Sequence, residues 1–144
     1  MAPGMNAPLY TTEILRLAAS LPEPVELDRT DGCAERRSPT CGSTVHIEVQ
    51  LDRDGRVERL SQAVHACAFG QASAAIVSRG AVGKSKQDVE GAVASLEQWL
   101  SGVADNPGDW PGLSALEPAR SRRSRHPAIL LPFRTLVAAI GATG

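Results

Sequence analysis

The chain has 144 residues, and its 42% hydrophobic content suffices for one compact core but leaves little room for a second domain. A formal net charge of -1 and a pI near 6.3 exclude bulk attraction to nucleic acid or anionic lipid. The aromatic residues Tyr10, Phe69, Trp99, Trp110 and Phe133 are not interleaved with basic ones, as a base-stacking platform requires.

Residues 1–8 read as a flexible tail and 9–141 as a single domain. Thr11 or Thr12 with Glu13 predicts the start of a helix carrying Ile14, Leu15, Leu17, Ala18 and Leu21, which Pro22 and Pro24 end. Val25 and Leu27 on one side, Ala34 and Arg37 on the other, flank Asp31-Gly32, so two short hairpin strands are expected there. Cys33 follows that turn and reads as an incidental strand residue, since nothing metal-like surrounds it.

The clearest strand is 44–51, where Val45, Ile47, Val49 and Leu51 alternate with His46, Glu48 and Gln50. Asp52-Arg53-Asp54-Gly55 is a turn, and 56–66 returns as a strand whose alternation slips between Val57 and Leu60, as a bulge would cause. This hairpin brings Cys41, in the loop before the first strand, and Cys67, after the second, to the same end of the sheet. A small-residue helix follows Cys67 over 68–79, and a thiol at a helix N-terminus faces unpaired N–H groups that favour its thiolate. The competing reading is a small cysteine packed between helix and sheet.

Ser85 with Asp88 resembles a capping box ahead of a helix over 86–100, whose Val89, Val93, Leu96, Trp99 and Leu100 form a core stripe. A short helix is expected over 110–116, then a basic linker over 120–125. The last amphipathic helix carries Leu130, Phe133, Leu136, Val137 and Ile140, and Pro132 should either start its regular part or kink it. An odd cysteine count without a signal peptide or membrane span points to a cytoplasmic chain with reduced thiols. No catalytic triad, Walker loop or dinucleotide fingerprint is present, so an ordinary enzyme is not expected.

Ser38-Pro39-Thr40-Cys41-Gly42, then the run from Ala66 to Ala74, then Gly83-Lys84-Ser85, resemble the NifU/IscU/SufU family of iron-sulfur cluster scaffolds. The resemblance implies an α+β fold, a small antiparallel sheet of about three strands with helices packed on one side. It also implies sulfur received from a cysteine desulfurase, a 2Fe-2S cluster, iron or zinc held at the site, and delivery to cluster-accepting apo-proteins. Two family ligands are missing. Ser43 stands where the family has an aspartate, and Ala128 aligns with its third cysteine; the family's Leu-Pro-Pro-Val-Lys motif is also absent.

The expected metal ligands are therefore Cys41 and Cys67, with His126 or His65 as candidates to complete the set. His126 is either such a ligand or an exposed residue of the basic linker, and His65 either shares a metal with Cys67 or is simply solvated. Arg120, Arg122, Arg123 and Arg125 could dock an acidic partner such as the desulfurase, or form a plain solvated linker. The alternatives to a scaffold are a zinc-dependent sulfur acceptor, with Cys41 or Cys67 taking persulfide sulfur, and a metal-free module that regulates assembly. Two chains meeting at these thiols would supply four cysteines, so a homodimer on cluster loading is expected.

Overall fold

The alternating stretch 44–51 forms the middle of the sheet. In a computed structural model, which describes residues 10–40 and 42–142, strand β2 (Thr44–Leu51) lies between β1 (Gly32–Arg37) and β3 (Val57–His65), all antiparallel. Val45, Ile47, Val49 and Leu51 are all buried, because alternate side chains of a strand share one face. Helix α2 (Ala68–Gly80) packs beside β3 and helix α4 (His126–Gly141) against β1 and β2. Helices α1 (Thr12–Ala19) and α3 (Lys86–Leu100) pack outside them, on α2 and α4 respectively. The fold is thus α+β, with an open three-stranded sheet and its helices on one side. Among the described residues no helix is long and apolar enough to cross a membrane.

Strand β3 carries the bulge that its pattern predicts: Gln50 pairs with Arg59 but Leu51 with Val57, leaving Glu58 as the extra residue. Gln62 consequently faces inward, where its amide nitrogen donates to the Ala74 carbonyl at 2.8 Å and to Ser78 Oγ at 2.7 Å, joining the sheet to α2. The capping box is present at the head of α3, with Ser85 and Asp88 bonded reciprocally. The turn before it bridges to β3, through Gly83 N–H to the Val57 carbonyl at 2.8 Å and Val57 N–H to the Lys84 carbonyl at 2.9 Å.

The sequence expectations differ from the structure in three places. Residues 25–27 form no strand, and Asp31-Gly32 closes no hairpin. The Asp31 carboxylate instead accepts the Leu51 N–H at 2.7 Å, tying the residues before β1 to the end of β2. The chain before it crosses the face of the sheet away from the helices, with Val25 N–H donating to Ser61 Oγ at 2.9 Å and Leu27 buried.

The short helix expected over 110–116 is a 3-10 segment at Leu113–Ala119. Trp110 is held in the core, its indole N–H donating to the Ile76 carbonyl at 2.9 Å and its ring edge-on to Phe133. Gly112, at φ 93°, then turns the chain through a conformation no helix interior allows. Finally, α4 starts at His126, with Pro127 in its first turn, and runs through Pro132 unbroken. Proline offers no N–H to the Ala128 carbonyl, and hydroxyls reinforce the neighbouring carbonyls: Ser73 Oγ donates to Ile129 at 2.6 Å and Thr135 Oγ1 to Leu131 at 2.7 Å.

Two glycines should respond oppositely to alanine. A Cβ at Gly80 would stand 2.5 Å from Trp110 Nε1, whereas one at Gly91 meets nothing within 4 Å. Gly80→Ala should destabilise by about 1–3 kcal/mol and Gly91→Ala should stabilise by roughly 0.5–1 kcal/mol. Denaturant unfolding followed by tryptophan fluorescence measures both, and equal effects would contradict the packing of Trp110 on α2.

Asp31 gives a pH signature. The Leu51 N–H, outweighing partial desolvation and assisted by Arg29, holds its carboxyl below the usual 3.8. A depressed carboxyl stabilises the fold above its unfolded value and loses that contribution as pH falls. The stability gap between wild type and Asp31→Asn should therefore be full at neutral pH and close below about pH 4; a gap that widens in acid would contradict this bond.

Candidate functional site

The β2–β3 register pairs Thr44 with His65, so the loop entering β2 and the residues leaving β3 share one end of the sheet. Within that loop Ser38 N–H donates to the Ser43 carbonyl at 2.8 Å and Gly42 N–H to the Ser38 carbonyl at 3.2 Å. Gly42 takes φ 72°, which its lack of a side chain permits, and both serines are buried. Cys41 lies outside the described residues.

Cys67 is the N-cap of α2, in extended conformation, half-buried against the core, and makes no side-chain cap bond. The position where an oxygen would ordinarily cap the first turn is thus held by sulfur. Gln71 steadies the junction from within the same helix: its backbone N–H bonds the Cys67 carbonyl at 2.9 Å and its side-chain amide the Ala66 carbonyl at 3.0 Å.

The small residues around the thiol are explained by a close approach. A Cβ placed on Gly70 would lie 2.6 Å from the Ala66 Cβ, 3.4 Å from the Ala128 carbonyl oxygen and 3.5 Å from the Ala128 Cβ. The first turns of α2 and α4 therefore meet beside Cys67, and Ala128 sits at that meeting point, only 2% exposed. Ala128, which the sequence resemblance aligns with a third cysteine, thus adjoins the thiol junction with a methyl side chain. Ser73, which sequence reading left as one more small residue, ties the two helices together; a lone hydroxyl within a run of alanines was its available signal.

The candidate histidines are placed differently. His65 is exposed at the end of β3, opposite Thr44. His126 Nε2 lies 2.8 Å from the Ala119 carbonyl and 3.1 Å from that of Arg120. Both partners only accept, so Nε2 carries the proton and the imidazole closes the turn between the 3-10 segment and α4. Within the basic run Arg120 is anchored inward, donating to the carbonyls of Trp99 at 2.8 Å and Ala104 at 3.1 Å with its guanidinium over the Trp99 ring. Arg122 and Arg123 are exposed and Arg125 is half-buried.

Cys33 is exposed on β1 opposite Glu48, on the sheet face that also carries His46 between Glu35 and Glu48. Among the described residues no three His, Cys, Asp or Glu side chains come together as a metal-binding group.

Fold and site define an α+β protein whose distinguishing group is a thiol at a strand-to-helix junction, beside the entry of a second helix. Neither a protein-family model nor a curated protein matches the sequence. Solved structures do. An N-terminal NifU-like nitrogen-fixing protein of Brucella abortus superimposes with a TM-score of 0.84 and 29% identity over 92% of each chain. A putative iron-sulfur cluster assembly scaffold of the SUF system from Fervidobacterium islandicum gives 0.81 and 20% identity over 92% of this chain and 96% of that one. At 20% identity the second likeness concerns fold alone. The chain is NifU/IscU/SufU-like, as its motifs lead one to expect.

The role of His126 can be read directly. Nitrogen-correlated NMR of the metal-free protein should show its Nε2 protonated, and an unprotonated Nε2 would contradict the two carbonyl contacts.

Proposed function

We propose that this protein is an iron-sulfur cluster assembly scaffold, taking sulfur from a cysteine desulfurase and passing cluster to apo-proteins in the cytoplasm. The observation that supports it most is the likeness to a NifU-like protein over 92% of both chains, with Cys67 at the head of α2. In this reading Cys41 and Cys67 hold iron, a 2Fe-2S cluster or zinc as cargo. Thiolates suit these soft or borderline metals, whereas the hydroxyl of Ser43 does not. His65 is free to approach from β3, while His126 would have to use Nδ1, since its Nε2 is committed to backbone. Arg122, Arg123 and Arg125 are the docking candidates for the desulfurase, Arg120 being held inward.

Because each chain offers only two of these thiols, a closed four-thiolate site requires two chains meeting at their Cys67 ends. The buried methyl of Ala128, which offers a metal no donor, favours one other reading, a metal-free module that regulates assembly.

Anaerobic reconstitution followed by metal and sulfide analysis tests the proposal. Wild type should take up iron and sulfide and sediment as a dimer, Cys41→Ser and Cys67→Ser should lose most of both, and Cys33→Ser should keep them. Loss of metal on Cys33→Ser alone would misplace the site, and a colourless wild type that retains no metal would favour the regulating module. Replacing Ser43 by Asp together with Ala128 by Cys should raise metal retention if the ligand positions still converge.

A further inference from the structure

Charge is distributed unevenly along the sheet. At the end remote from Cys67 three arginines are paired, Arg29 with Asp31, Arg56 with Asp88 and Arg59 with Asp28, and Arg53 in the β2–β3 turn stands apart from them. At the Cys67 end the arginines are not paired. Arg36 and Arg37 finish β1 opposite Val45 and Thr44, and Thr44 in turn faces His65, two residues before the thiol. Both arginines are exposed, and among the described residues neither meets a carboxylate. Arg36 donates only to the carbonyl of its neighbour Glu35 at 3.1 Å, and the Glu35 carboxylate faces His46 at 3.7 Å.

Arg122, Arg123 and Arg125 precede α4, whose Ala128 lies beside Gly70, three residues after the thiol. They too lack a carboxylate partner among the described residues. The net charge of -1 conceals this concentration of cations.

We infer that Arg36 and Arg37, on the two faces of the end of β1, and the arginines ahead of α4 together make a basic rim at the Cys67 end, fitted to an acidic protein surface that lies across the thiol. Guanidinium groups recognise carboxylates bidentately, and complementary charge at such a rim speeds encounter and fixes orientation. Single-stranded nucleic acid would need stacking rings. Phe69 is fully buried, and Tyr10, 38% exposed, already lies against it at 5.3 Å. The inference deepens the proposed scaffold reading by assigning the chemistry of the docking partner, and it rests on that reading only for the partner's purpose. The rim itself can be examined without metal, sulfur or a desulfurase.

The probe is fluorescently labelled poly-L-glutamate, with binding followed by anisotropy at about 20 mM and about 300 mM salt. Arg36→Gln with Arg37→Gln, and separately Arg122→Gln with Arg123→Gln and Arg125→Gln, should each weaken binding about fivefold at low salt. The difference should shrink at high salt. The control Arg16→Gln with Arg53→Gln, which removes unpaired arginines away from the thiol, should change affinity less than about twofold.

If the β1 pair behaves like the control, or if a single-stranded oligonucleotide of equal charge binds wild type more tightly than poly-L-glutamate, the inference is overturned. Should the β1 double variant fold poorly by circular dichroism, Arg37→Gln alone serves, expected to weaken binding about twofold at low salt; no effect there would count equally against it. Failure of metal loading with intact rim binding would sink the scaffold reading and leave the rim standing.

Discussion

The close approach of α2 and α4 at Gly70 is the constraint on which the thiol end depends. Any side chain there would strike the Ala66 Cβ at 2.6 Å and come into contact with Ala128, prising apart the strand-to-helix junction that carries Cys67. The approach is held by the Ser73 hydroxyl on the Ile129 carbonyl. That bond is buried, so its loss would strand polar groups away from water. It lies one residue along from the carbonyl that Pro132 leaves without an N–H. The apparent defect in α4 and the hydroxyl in α2 are therefore parts of one helix contact. Its bonded carbonyl follows directly after the position where the family places a ligand.

Much of this was legible in the sequence. The alternation from Val45 to Leu51, the slip in the returning strand and the Ser85 to Asp88 cap each reflect short-range rules, with spacing or capping chemistry deciding locally. What escaped was decided by distant partners. Residues 25–27 look extended, but Asp31 takes the Leu51 N–H, and Ser61 takes that of Val25. Pro132 reads as the start of the regular helix or as a kink, but α4 begins six residues earlier at His126, and Trp110 begins no helix because Ile76 and Phe133 hold it. At the candidate site, sequence led to Cys67 and Ala128, and their neighbourhood is visible in the Gly70 contacts. It could not show that the Nε2 of His126 is committed to backbone carbonyls.

In the scaffold reading, Ser43 and Ala128 alter what the site can do. Ser43 and Ala128 are both buried, so neither is an open surface position awaiting a loose replacement, and each is enclosed by structure already formed. In that reading a methyl group and a hydroxyl in those places offer no thiolate or carboxylate to a metal. In the scaffold reading, a cargo held this way is bound by fewer bonds from each chain. It should be released more readily to a recipient that offers cysteines of its own.

Arg120 brings out a further property of the segment before α4. Its guanidinium binds two carbonyls and covers Trp99, while His126 closes the same turn on the carbonyls of residues 119 and 120. Arg122, Arg123 and Arg125 are thereby displayed on a short span of chain fixed at both ends. A free linker would surrender backbone freedom on meeting a partner, at roughly 1–2 kcal/mol per residue ordered. Here much of that entropy is lost once, during folding, and each encounter begins with the span already shaped. What reads in sequence as a spacer is therefore a span held in shape, by an arginine that is turned inward.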